Sequence, residues 1–191
     1  FYHAGSWSLG GGTVVSPIAG KEENLSDKTW LEIISTPADK MKPFVEKRNK
    51  NGNFVEASPP LFTSSLEKCV KKQPNRFAKL ALFFPDDCFP GYISSVFFGL
   101  ANSVSHETSL DYDVVHQLMK KYFQIEDSGI ASSILFFVQQ TSEYNWSEDV
   151  LSIVIWLAHN HPDPQENTSR AHSSKDLERK TIRTLEGNAA N

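Results

Sequence analysis

The sequence predicts an all-α fold in which antiparallel helical hairpins stack as an irregular helical array. Three observations carry that expectation. Apolar residues recur at helical spacing in one segment after another, most densely between Pro59 and Pro164. Prolines such as Pro74 and Pro85 stand where one periodic segment stops and the next begins. The connections between segments are short, and short helices joined by short connections pack against each other as αα-hairpins. No repeat of fixed period is present, so no named solenoid type is implied.

Residues 1–24 are Gly- and Ser-rich, with Gly10, Gly11 and Gly12 in a row, and read as a lead, a linker or an edge strand. The helical-array domain is expected over 25–191. "NLSDKTWLEII" opens it: Ser26 or Asp27 can cap a helix whose apolar face is Trp30, Leu31, Ile33 and Ile34. Pro37 and Pro43 then break the pattern, and "EKRNKNGNFVEAS" at 46–58 reads as an exposed loop with an Asn-Gly turn. "PPLFTSSLEKCVKKQP" places Leu66, Cys69 and Val70 on one face, and "PNRFAKLALFFP" does so with Phe77, Leu80, Ala81 and Phe84. "FPGYISSVFFGLA" follows with Tyr92, Ile93, Val96, Phe97 and Leu100. "DYDVVHQLMKKYF" has acids at its start and lysines at its end, as the helix dipole favours. "IASSILFFVQQ" and "SEDVLSIVIWLA" are apolar on nearly every side, which predicts burial against several neighbours. A last helix is expected from about Ser174 to the end.

The net charge of −4 disfavours a general affinity for nucleic acid or anionic membrane, although 38–79 carries ten basic residues against four acidic ones. The longest apolar run, "ILFFV" at 134–138, is too short to span a bilayer. Two cysteines make no disulfide framework, so a reducing, cytoplasmic setting is expected. Three Asn-x-Ser/Thr sequons, at Asn24, Asn145 and Asn167, carry little meaning in that setting. The chain opens at Phe1 and stops within a running helical pattern, which reads as a piece of a larger polypeptide.

Four features invite a chemical reading. His159, His161 and Asp163 in "HNHPDP" alternate as metal ligands do on a strand. The residues before them repeat at 3.6, Asn160 suits a helix end and Pro162 cannot continue one, so the stretch reads as a helix terminus. "VVSPIAGKE" carries Gly20-Lys21, but Val15 stands where a phosphate loop needs its first Gly, and Glu22 where it needs Ser or Thr. Cys69 falls on an apolar face, and Cys88 lies beside Asp86 and Asp87, which would raise its pKa rather than activate it. Those two acids read as caps and first-turn charges. The basic segment interleaves Phe44, Phe54, Phe62 and Phe77, a composition that also suits single-stranded nucleic acid, but Phe62 and Phe77 fall in buried patterns. No catalytic, cofactor-binding or metal-ligating residue is therefore expected.

Residues 74–101, "VLSIVIWLAHNHPDP" at 150–164, "TIRTLEGNAA" at 181–190 and "VVSPIAGKEENLSDKTWLEI" near the start resemble the long helical regions of large bacterial ATP-binding proteins of the STAND/NACHT-like type. In that pattern "P-x-R-F-A-x-L" leads to "P-x-D" and a "Y…G-L" helix. A tryptophan-bearing helix then ends in an Asp-Pro-Asp-Pro motif, here "HNHPDP", and the tail has Leu185 and Glu186 in place of Val-Arg. Some such proteins act in defence against phage, and the helical region follows their P-loop NTPase module.

The resemblance implies a non-catalytic scaffold or sensor segment of a larger ATP-binding protein, working through a protein partner or self-association. The alternative from another class is a metal-dependent hydrolase or nuclease-like domain using His159, His161 and Asp163. An RNA-binding helical module using the basic segment is a third.

Overall fold

A computed structural model describes residues 14–41, 45–48, 54–103 and 110–160. Among these the chain is mostly helical, with seven α-helices and one small sheet. Helix α1 (Asp27–Ile34) begins where Ser26 Oγ accepts the Thr29 amide at 3.2 Å, a cap that contributes about 1 kcal/mol. Its apolar side buries Trp30 and Ile34 completely or nearly so.

The sheet departs from expectation. Strands β1 (Val14–Val15), β2 (Val45–Arg48) and β3 (Phe54–Val55) lie in the order β1-β3-β2, with β1 parallel and β2 antiparallel to β3. The edge strand foreseen near the N-terminus is β1. The stretch 46–58, expected to be a loop, instead contributes to β2 and β3. A strand of two residues is too short to display the alternation that marks one, so its pairing is decided by distant chain.

Helices α2 (Pro59–Lys72) and α3 (Pro74–Ala81) share Gln73 as the end of one and the cap of the other. Pro74 sits at the first position of α3, where its missing N–H costs nothing. Arg76 explains why the "P-x-R-F" stretch is organised as it is. Its guanidinium donates to Asp27 Oδ1 (2.7 Å), the Leu25 carbonyl (2.6 Å) and Gln73 Oε1 (3.0 Å), binding the start of α1 to the start of α3. Beneath it Trp30 meets Phe77 edge-on at 5.8 Å.

Helix α4 (Pro90–Ser103) packs against α2 on one side and α6 (Ser128–Gln140) on the other. Ten of its fourteen residues are buried. A Cβ on Gly99 would come within 2.6 Å of Val70 Cβ, so glycine is what lets α2 approach. On the opposite side Phe97 and Phe98 meet Phe137 and Phe136, at 6.5 and 5.7 Å between centroids. Phe97 and Phe137 are fully buried, each stabilising the fold by about 1.5–3 kcal/mol, while Phe98 and Phe136 are half-buried and contribute less.

Helix α5 (Tyr112–Tyr122) is pinned to α3 at both ends. Asp111, which caps α5, donates its backbone N–H to Asn75 Oδ1 at 2.8 Å, and its carboxylate lies 3.5 Å from Lys79 Nζ. At the far end Tyr122 Oη donates to the Ala81 carbonyl (2.6 Å), and Lys121 Nζ donates to those of Leu82 and Phe84 (2.8 and 2.9 Å). These donors reach carbonyls at and just past the end of α3, where the helical ladder has stopped. Helix α6 starts at the Asp127 cap, and α7 (Glu148–Asn160) packs against α5.

Two further expectations change, one about a pair of acids and one about two helices. Asp86 and Asp87 lie in the turn at 85–88, and the first turn of α4 contains no acid; Asp86 Oδ1 faces Lys121 Nζ at 3.7 Å instead. Helices α6 and α7, expected to be buried against several neighbours, are less enclosed than α4, and α7 buries only Val150, Ile153 and Leu157. Apolar composition sets how much of a helix can be buried, whereas the neighbours it meets set how much is. Among the described residues no helix is long and apolar enough to cross a membrane.

Candidate functional site

Among the described residues, those singled out for chemistry are not brought together. Trp156 to Asn160 is helical, and Asn160 Nδ2 donates back to the Trp156 carbonyl at 2.9 Å. His159 stands exposed on the last turn of α7, while His161 and Asp163 lie outside the described residues. Gly20 has φ +78°, the left-handed region, and closes a turn before a 3-10 turn at Glu22–Asn24. A glycine required by that backbone needs no phosphate to explain it. Asn24 and Asn145 are exposed, and Asn167 is outside the described residues.

Both thiols are core. Cys69 is fully enclosed and its pKa is pushed up to about 11, chiefly by burial and then by Glu22 and Glu23. Cys88 is also raised to about 11, again by burial first; the neighbouring Asp87 and Asp86 add to this and Lys121 opposes it. The expected direction for Cys88 holds, but loss of hydration outweighs the acids. Each thiol is protonated at neutral pH and is a poor nucleophile.

The C-terminal part of the basic segment, on α2 and α3, has three of its cations engaged. Lys72 binds Glu23, Arg76 binds Asp27 and Lys79 faces Asp111, while Phe62 and Phe77 are buried. A nucleic-acid platform needs free cations beside exposed rings. Phe44 lies outside the described residues, and Phe54 is half-buried.

What the fold does assemble lies between α5 and α7. A cleft of about 410 Å³ is lined by Lys120, Phe123, Asp149, Ser152, Ile153 and Trp156. Phe123 and Trp156 meet edge-on at 5.2 Å and form its apolar wall. At its polar rim Lys120 Nζ donates to Asp149 Oδ2 at 2.6 Å, and His116 Nε2 lies 4.0 Å from the same oxygen. The lysine, by hydrogen bond and by charge, holds the Asp149 carboxyl below the usual aspartate range, with His116 adding a smaller pull in the same direction. Beside the start of α7, Tyr112 and Tyr144 stack at 3.7 Å with Trp146 edge-on to both.

Next to the cleft, the outer side of α7 exposes two aliphatic side chains. Leu151 is 49% exposed and Ile155 59%, whereas Val150, Ile153 and Leu157 on the other side are at most 5% exposed. Leu151 and Ile155 are four residues apart and therefore share a face. That excess was visible in the sequence as apolar residues on two sides of one helix, but which side would be covered was not.

Among the described residues no group of three or more His, Cys, Asp or Glu is placed to hold a metal ion. Comparison of the chain with protein-family models, curated proteins and solved structures finds no match.

Proposed function

We propose that this chain is a non-catalytic scaffold or sensor segment of a larger, cytoplasmic, bacterial ATP-binding protein of the STAND/NACHT-like type, and that it works by protein–protein contact. The outer face of α7 is the observation that carries the reading. A helix with Leu151 and Ile155 about half exposed beside an apolar cleft has the chemistry of a surface that another protein covers.

The packing order supports an array of stacked antiparallel hairpins. Helix α4 meets α2 and α6, and α5 meets α3 and α7, so alternate helices pack in two rows. Contacts along the α3–α5–α7 row ascend together. Asp111 meets Asn75 while Tyr122 meets Ala81, and Lys120 meets Asp149 while Phe123 meets Trp156. Helices two apart that run alike are what a stack of antiparallel hairpins requires. The stretches quoted for the family resemblance act as punctuation here: Pro74 opens α3, Arg76 ties it to α1, and Phe77 fills the space beneath. Such an array relays a signal by changing the packing between its rows, and binding energy at one end supplies the bias.

A photo-reactive residue at position 155, with position 28 on exposed α1 as control, tests this in cells producing the chain. The expected result is a cross-link from position 155 to a protein identified by mass spectrometry, and none from position 28. Equal yields from both positions, no cross-link, or a cross-link to RNA would overturn the reading.

A further inference from the structure

We infer that the partner of α7 is α7 of a second copy of this chain, paired antiparallel across a two-fold axis. The inference rests on the docking reading above and names its occupant. The outer face of α7 carries, in order, Glu148, Leu151, Ser152, Ile155 and His159, each exposed to a large degree. At 100° per residue these positions fall on one side of the helix, opposite Val150, Ile153 and Leu157.

The order of chemistry along that face is self-complementary. It has an acid at the N-terminal end, two aliphatic side chains in the middle and an imidazole at the C-terminal end. A second α7 laid antiparallel, with the axis midway between Ser152 and Ile155, sets Glu148 against His159 of the other copy at both ends. Either nitrogen-bound proton of the imidazole can be donated to the carboxylate, so the pair forms with the ring neutral or charged. Leu151 of each copy then packs on Ile155 of the other in the centre. Ser152 and Ala158, both small and exposed, flank this centre and let the backbones approach to ordinary helix-packing distance.

A parallel arrangement fails on the same chemistry, because it sets Glu148 against Glu148. A face that matches itself only when turned through a two-fold is the requirement of an isologous dimer. Lys120, His116 and Asp149 stay on the α5 side of the helix and hold it in place. The contact is one helix wide, so the dimer is weak, with Kd on the order of 10–100 μM for so small an interface.

Sedimentation equilibrium over a concentration series reads this directly, with circular dichroism melts to confirm folding of each variant. The chain is expected to dimerise reversibly, and Ile155→Lys to remain monomeric throughout with an unchanged melt. Glu148→Lys alone or His159→Glu alone should weaken the dimer roughly three- to tenfold, as loss of two exposed pairs does. The double variant Glu148→Lys/His159→Glu should recover the parent affinity, which a merely structural role for either residue would not produce. A dimer insensitive to Ile155→Lys, or a double variant as weak as the singles, overturns the pairing. A chain that stays monomeric at every concentration while position 155 still cross-links to another protein overturns self-pairing alone. A monomer with no cross-link overturns both.

Discussion

Helices α4 and α7 have similar apolar content and opposite surroundings. Helix α4 is enclosed by α2 and α6 and buries ten of fourteen residues, including Tyr92, Phe97 and Leu100 without exposure. Helix α7 packs on α5 and leaves Leu151 and Ile155 in solvent. The same composition therefore serves cohesion in one helix and offers a surface in the other. What separates them is position in the packing order, since α4 has a helix on each side within its row.

Substitutions that probe this contrast should fall in a clear order. Phe97→Ala removes a fully buried ring between α4 and α6 and should cost about 3–5 kcal/mol in urea unfolding, enough to leave the domain marginal. Gly99→Ala forces a Cβ against Val70 and the Glu67 carbonyl at 3.0 Å or less, and should cost about 1–3 kcal/mol in the same measurement.

Raising the pH should weaken the domain through its two buried thiols. Cys69 and Cys88 have folded pKa values near 11, above the ordinary 9, so the unfolded chain loses these protons first. Their contribution is complete below pH 9 and is lost as pH rises toward 11, by roughly 2–3 kcal/mol for each fully buried thiol. Unfolding curves at pH 8 and pH 11 should show the drop, and a Cys69→Ala/Cys88→Ala variant should show a shallower one. The smallest effect belongs to Lys120→Ala. Its ion pair with Asp149 is solvent-exposed, and its loss should fall within the error of an unfolding midpoint at neutral pH.

Much of the helical pattern was legible because each helix states its own ends. Ser26, Asp111 and Asp127 cap α1, α5 and α6, and Pro74 opens α3. The sheet was not legible, since Val14–Val15 and Phe54–Val55 acquire strand geometry only by meeting each other across forty residues of chain. The Arg76 clamp reads as an ordinary charge in sequence and becomes specific only once Leu25, Asp27 and Gln73 surround it. Burial of Cys69 followed from the apolar face it shares with Leu66 and Val70, whereas that of Cys88, in a turn beside two aspartates, comes from the fold. The cleft lined by Phe123 and Trp156 did not, because it depends on how α5 and α7 are offset.

The measurement closest to the centre of this picture is the unfolding free energy of Ile155→Lys. A face that serves contact rather than cohesion tolerates the charge, so the expected change is within about 0.5 kcal/mol. A loss of several kcal/mol, comparable to Phe97→Ala, would place Ile155 in the core and contradict the distinction between the two helices.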